Sequence, residues 1–263
     1  MVGASGVSPG VPARAVEGGV AGVRAPRVWR IILESIAATN GDQRNVLDAL
    51  CLACSKSLPV SGVGLALMTE RGHEGTVTAT DESAAVMENL QETLGEGPCL
   101  DASRWARPVL ESDLAAAGTT RWPVFGPAAI EAGIGAIFAF PLHVGGIRLG
   151  VLDLYRATAG SLSEDEFAEA LAFSDAATTV LLHLQDKSPS EWSLHPQLDD
   201  AVESRREIHQ ATGMVSVQAG VNLTEALLLL RARAYASERS LAATAADVVS
   251  RRLRIGPEEG ENE

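Results

Sequence analysis

The sequence predicts an α+β fold: an N-terminal antiparallel sheet flanked by helices, followed by a C-terminal three-helix unit. Three observations carry this reading. Helical patterns come first and give way to short β-rich runs bounded by turn residues; two of these runs flank Gly145-Gly146; and from Leu198 onward only helical spacing remains. Strands do not alternate with helices as a doubly wound sheet requires, and no glycine-rich phosphate loop follows a strand.

Each element follows from its residues. Val28, Ile31, Ile32 and Ile36 recur at helical spacing behind Pro26, which suits a first helical turn, and Asn40-Gly41 ends that helix. A second helix is expected over 43–57, with Val46, Leu47, Leu50 and Cys54 on one face and Pro59 as its stop. The runs 62–70 and 75–81 read as a hairpin joined by "RGHEG". A helix over 82–94 ends at Gly95, and "GEGPCLDA" reads as an irregular loop. A short strand over 108–114 and a helix over 121–133 lead to the clearest hairpin, 134–144 with 147–157. Ser163 and Glu166 form a capping box for the long closing helix that ends at 186. Pro189 and Pro196 mark 187–197 as a linker. Three helices then close the chain: one from Leu198 to Gly220, one capped by Asn222 with Glu225, and one capped by Ser240. The expected division is a disordered tail over 1–25, a sheet domain over 26–186, the linker, a helical domain over 198–255 and an acidic tail over 256–263.

Charge separates the two parts. The chain carries −13 in 263 residues, yet residues 199–255 hold eight Arg against seven acids. The body repels polyanions, so any contact with nucleic acid is confined to the C-terminal unit. The three cysteines, Cys51, Cys54 and Cys99, make a poor disulfide framework and point to a reducing, cytoplasmic setting. No signal peptide is read at the N-terminus, and no apolar run reaches the length of a membrane span.

Chemistry-bearing motifs are few. Cys51-x-x-Cys54 lies on an amphipathic helix with no second pair to complete a zinc site, so core packing outweighs metal binding. Cys99, in its glycine-rich loop, and His143, at a strand end facing it, are the candidate ligand-sensing residues, over a pocket expected behind the sheet. No nucleophile elbow, Walker motif or HExxH is present; the chain does not read as an enzyme, and no cofactor or metal is assigned. Gly213 interrupts a good helix at a cost of about 1 kcal/mol relative to Ala, so either a packed helix or a ligand needs its missing side chain.

The stretch "REIHQATGMVSVQAGVNLTEALLLLRARAYASERSLAATAADVVSRRL" resembles the ANTAR domain, an RNA-binding transcription antitermination module, over about 55 residues. The resemblance rests on Gln210-Ala211-x-Gly213-Met214-Val215, Gln218-x-Gly220-Val221, Glu225-Ala226, Leu230-Arg231, Arg239, Leu241 and Val248-Val249. Thr212 stands where many members carry Lys. The front half, through "LGEGPCLDA", "RWPVFGPAA" and "FPLHVGGIRLGVLDLYR", is similar to a GAF domain, a small-ligand or signal-sensing fold; it lacks the cyclic-nucleotide signature. The resemblance implies a cytoplasmic homodimeric regulator that couples a signal to binding of an RNA stem-loop in a nascent transcript. A small molecule in the GAF domain is the implied input, and no membrane is involved. The RNA-contacting residues it implies are Gln210, Thr212, Gly213, Arg231, Arg239 and Arg251. The competing reading is a sensor or protein-interaction module whose helical tail only dimerises. The homodimer is expected to form through 26–57 and 163–186.

Overall fold

The computed structural model describes residues 21–38, 46–70, 72–186 and 196–256. Residues 1–20 of the tail expected over 1–25, residues 257–263 of the tail expected over 256–263, and most of the linker, 187–195, lie outside the described residues, while the end of the first expected tail is helical from Ala21. Helices α1 (Ala21–Ala38) and α2 (Val46–Ser57) lead into β1 (Gly62–Thr69) and β2 (Gly72–Ala79). They are followed by α3 (Glu82–Leu94), α4 (Pro98–Trp105), β3 (Val109–Glu111), α5 (Thr119–Arg121), α6 (Phe125–Glu131), β4 (Ala136–Val144) and β5 (Ile147–Arg156). Helix α7 (Glu164–Asp186) closes the sheet domain, and α8 (Pro196–Ala219), α9 (Leu223–Ala236) and α10 (Leu241–Val249) make the C-terminal unit.

The five strands form one antiparallel sheet in the order β2-β1-β5-β4-β3. Its centre comes from the β4–β5 hairpin, in which Val144 pairs with Ile147 across Gly145-Gly146 and Gly145 takes a φ of 57°. That positive φ is what a two-residue hairpin turn demands and what glycine supplies. Side chains alternate across the sheet with the period of two that pleating imposes. Val63, Leu65, Phe138, Phe140, Leu152 and Leu154 face α1, α2 and α7. Ala66, Met68, Ile137, Val151 and Tyr155 face α3, α4 and α6. Central strands covered on both sides are therefore apolar almost throughout, as β1 is.

Several elements differ from expectation. Helix α1 begins at Ala21, five residues before Pro26, and Arg24 ties this extra turn to α7 through the Asp165 carbonyl at 2.7 Å. The segment "GEGPCLDA" is not an irregular loop. Gly97, at φ 137°, precedes Pro98 at the first helical position, and α4 follows. Proline there loses no hydrogen bond and is preset for helix, so a sequence that looks like loop punctuation starts one. The helix expected over 121–133 is divided: a π-turn (Leu114–Gly118) and α5 come first, and α6 starts only at Phe125. Glu96 accepts hydrogen bonds from the Val124 and Phe125 amides at 2.6 Å each, which supplies the missing cap of α6 from a distant loop.

By length and composition α7 would pass for a membrane span, but 56% of that window is buried inside the domain. It packs on the sheet and on α1, with Phe173, Ala177 and Leu181 wholly buried. Cys51 and Cys54 lie in the same core, both wholly buried and unpaired.

Helix α8 joins the two parts. Its first turns bury Leu198 and Ala201 in the sheet-domain core. Its later turns bury Ile208, Ala211 and Val215 with Ala226, Leu230, Leu241, Ala245 and Val248. One uninterrupted helix of 24 residues thus belongs to two cores. The approach runs along edge strand β2. A Cβ at Gly75 would stand 2.5 Å from the carbonyl oxygen of Ala201 and 2.7 Å from its Cα, and Gly75 takes a φ of 144°. Only glycine meets both demands. Covering β2 with α8 also closes an edge that would otherwise present unpaired backbone groups.

Gly75→Val is therefore expected to cost about 1–3 kcal/mol by forcing helix and strand apart. Gly146→Ala, at a glycine with open space around it, is expected to stay within about 0.5 kcal/mol of the parent. Urea denaturation of the two variants checks this; equal midpoints would refute the seam.

Candidate functional site

The C-terminal unit is held by its caps and a small core. Asn222 accepts from the Glu225 amide at 3.0 Å while the Glu225 carboxylate accepts from the Asn222 amide at 3.2 Å. Ser240 accepts from the Ala243 amide at 3.0 Å. Gly220, at φ 66°, ends α8 in the left-handed conformation. These devices fix the three helices and leave the α8 face containing Gln210 and Gly213 outward. Gln210 is exposed, and a Cβ built on Gly213 would find no atom of another described element within 4 Å. Val217, one turn further along the same face, is 84% exposed. Close helix packing therefore does not account for Gly213.

The other residues implied by the resemblance scatter. Thr212 is buried and its hydroxyl donates to the Ile208 carbonyl at 2.7 Å, so it braces α8 from inside. Arg239 pairs with Asp247, which also binds Arg252 at 2.7 Å. Hydrogen bonds from these two guanidinium groups hold the Asp247 carboxyl below its ordinary range. Arg251 is exposed just beyond α10 at a φ of 62°. Arg231 points the other way. A Cβ at Gly95 would stand 2.2 Å from its Nη1, so the guanidinium lies against the end of α3. Burial, and then the charge of Arg205, pull it below its ordinary pKa. The structure brings Arg239 and Arg252 together through Asp247, and it separates Arg231 from them.

Within the sheet domain, a group of buried polar side chains lies beneath Cys99. Tyr155 donates to Glu88 at 2.6 Å, the Gln91 amide approaches the Tyr155 hydroxyl at 3.4 Å, and the Cys99 amide donates to Gln91 at 2.8 Å. Asp153 completes the group from β5; ligand atoms of Glu88, Cys99 and Asp153 lie within 4.8 Å of one another. This buried polar cluster lies beneath the Cys99 segment, where the sequence reading placed a pocket. Burial pushes the Asp153 carboxyl up to about 7, although Cys99, Glu88 and Gln91 approach closely enough to offset part of that cost. Burial, then the charge of Asp153, raises Glu88 as well. The Cys99 thiol is raised by the same burial and the same two carboxylates, which removes the thiolate that metals and oxidants require. His143 is exposed at the β4–β5 turn, its ring 3.3 Å from the Gly145 carbonyl, and takes no part in this group. Sequence reasoning missed Glu88, Asp153 and Tyr155. The available signal was Asp153, an acid inside the otherwise apolar run 149–155 of β5; Glu88 lies in a polar helix and gave none.

Comparison with known families decides the assignment of the front half: the GAF domain matches residues 41–182. The chain belongs to the GAF family. The ANTAR domain matches residues 196–249, the unit built by α8, α9 and α10. Both are regulatory domains, so the chain combines a signal-sensing module with an ANTAR output. Among solved structures it is similar to the GAF domain of an Acinetobacter phosphoenolpyruvate-protein phosphotransferase, at 13% identity and a TM-score of 0.46 over 64% of this chain and 97% of that one. It is also similar to the GAF domain of the corresponding Coxiella burnetii protein, at 15% identity and a TM-score of 0.43 over 62% and 97%. No curated protein sequence matches the chain.

The buried carboxyls of the GAF domain give its stability a pH dependence. A group whose pKa is raised on folding holds a proton that the unfolded chain releases, so its stabilising effect is complete below the ordinary carboxylate range and is lost as pH rises through the folded value. With Asp153 at about 7 and Glu88 moved the same way, the urea midpoint is expected to fall between pH 5 and pH 8. Asp153→Asn should flatten that profile; a midpoint that rises over this range would contradict the protonated cluster.

Proposed function

We propose that the chain is a cytoplasmic RNA-binding regulator in which the GAF domain receives a signal and the ANTAR domain grips a stem-loop of a nascent transcript, changing transcription antitermination. The observation that carries this reading is Gly213. A glycine inside a helix costs about 1 kcal/mol relative to alanine, and among the described residues nothing approaches it to justify that cost. A partner that must come close to the α8 backbone supplies the reason. Gln210 flanks the open position and offers both donors and acceptors to a nucleotide. Arg251 and the Arg239–Asp247–Arg252 group supply guanidinium groups suited to phosphate. Thr212 serves this face by bracing α8 rather than by touching RNA. Homodimerisation through α1 and α7, where Leu33 is 60% and Leu182 40% exposed, would present two such faces to paired sites.

Gel shifts with stem-loop RNA at two salt concentrations test the proposal. Gly213→Ala is expected to stabilise the fold by about 0.5–1 kcal/mol while weakening RNA binding, a combination that a purely structural glycine does not give. Arg251→Ala is expected to keep the fold and reduce the log–log salt slope by about 0.7–0.9. If the parent shows no salt-sensitive RNA binding, the tail that only dimerises becomes the better reading. Light scattering at micromolar concentration should report twice the chain mass of 27.5 kDa; a monomer would refute the dimer.

A further inference from the structure

We propose that the seam between the GAF and ANTAR domains is a binding site for a small phosphoryl anion. A cavity of about 250 Å³ opens there between the β1–β2 turn, α4, β5, α8 and α9, and its walls include Arg104, Arg148, Arg205 and Arg231. Two of these arginines belong to the GAF domain and two to the ANTAR domain, so neither domain contains the site alone.

The charges around the cavity are unbalanced. Glu70 lines it, Glu74 stands 3.6 Å from Arg205, and Glu92 stands 3.6 Å from His73. Among the described residues no carboxylate forms an ion pair with Arg104, Arg148 or Arg231. Among the described residues the Arg148 guanidinium donates to the Arg104 carbonyl at 3.5 Å and to no carboxylate. Arg231 keeps an unpartnered Nε in a buried position. A second observation is independent of the arginines. His73 lines the same cavity at 3% exposure; its Nδ1 faces a Glu92 carboxylate oxygen at 3.6 Å, while its Nε2 lacks a hydrogen-bond partner. Buried polar groups are normally satisfied, so a donor-rich wall with orphaned donors has the form of a site awaiting an acceptor.

Geometry and size choose the class of ligand. A guanidinium presents a planar fork that meets phosphate oxygens two at a time. A phosphoryl group carries up to about two charges and three strong acceptor oxygens, enough to engage arginines from both domains at once. The volume lies below the roughly 300–1,000 Å³ of sites for drug-sized ligands, which fits orthophosphate, pyrophosphate or a small phosphate ester. The site differs from the outward face at Gly213, and its occupancy does not depend on RNA.

Isothermal titration of the full chain without RNA tests the proposal, with orthophosphate and pyrophosphate as probes and sodium chloride at matched ionic strength as the control. One site per chain is expected for at least one probe, with orthophosphate sufficing if the anion is inorganic phosphate and pyrophosphate preferred if it is a larger phosphoryl group. Arg148→Ala is expected to weaken binding at least tenfold. Arg104→Ala, at an exposed helix position where folding is not at stake, should weaken it as well, and circular dichroism confirms both folds. The absence of binding by either probe at millimolar concentration would overturn the site, as would binding unchanged in both variants. Neither result bears on the RNA reading, whose test uses a different ligand and a different face.

Discussion

The close approach of α8 to strand β2 at Gly75 is the constraint on which the rest of the molecule depends. Backbone meets backbone there, because a Cβ on Gly75 would stand 2.5 Å from the Ala201 oxygen. That contact covers the sheet edge and buries Leu198 and Ala201 in the GAF core. It also fixes the direction in which α8 leaves. Since the same helix supplies Ile208, Ala211 and Val215 to the ANTAR core, the orientation of the output unit is inherited from one glycine in an edge strand. Arg205 reinforces the seam from α8, donating to the His73 carbonyl and lying 3.6 Å from Glu74, both on β2.

The two faces of the sheet have different roles. One is a conventional apolar core with α1, α2 and α7. The other holds Glu88, Asp153 and Tyr155 among Met87, Phe125 and Ile137. Replacing such a group by apolar side chains is often neutral or stabilising, so its presence has to be explained by what it organises. It connects α3, α4 and β5 through Gln91 and Tyr155. Those three elements lead directly to Gly95, Arg104 and Arg148 at the seam. The polar interior lies beneath the segment read as a ligand-sensing loop and at the same time sets the walls of the cavity at the seam.

Much of the fold was legible because local chemistry and tertiary structure agree. Gly145-Gly146 requires a tight hairpin, Asn222 with Glu225 requires a helix start, and the unbroken apolar run along 136–142 fits a strand covered on both faces. The readings diverged where a distant residue decides. Pro98 starts α4 although glycines precede it, and Glu96 caps α6 across 28 residues of sequence. The site residues divided in the same way. Gly213 was legible as a position with an unmet cost, because that cost is local. Arg231 was not, because one helix period looks the same whether its arginine faces RNA or another domain.

Arg231 shows why the assembly has to be read as a whole. Taken alone, α9 is a short helix with Leu228 58% exposed and arginines on its flank, as an RNA-facing helix would be. Docked against the GAF domain, the guanidinium of Arg231 packs on Gly95, a glycine at φ 68° that caps α3. The left-handed cap requires glycine at 95, and the missing side chain leaves the space that the Arg231 guanidinium fills. Gly75 and Gly95 thus answer α8 and α9 in turn. Two glycines on one domain, each shaped to an element of the other, make the docked arrangement a property written into both halves of the chain, and they put the sensor's surface within reach of every helix of the output unit except the outward face of α8.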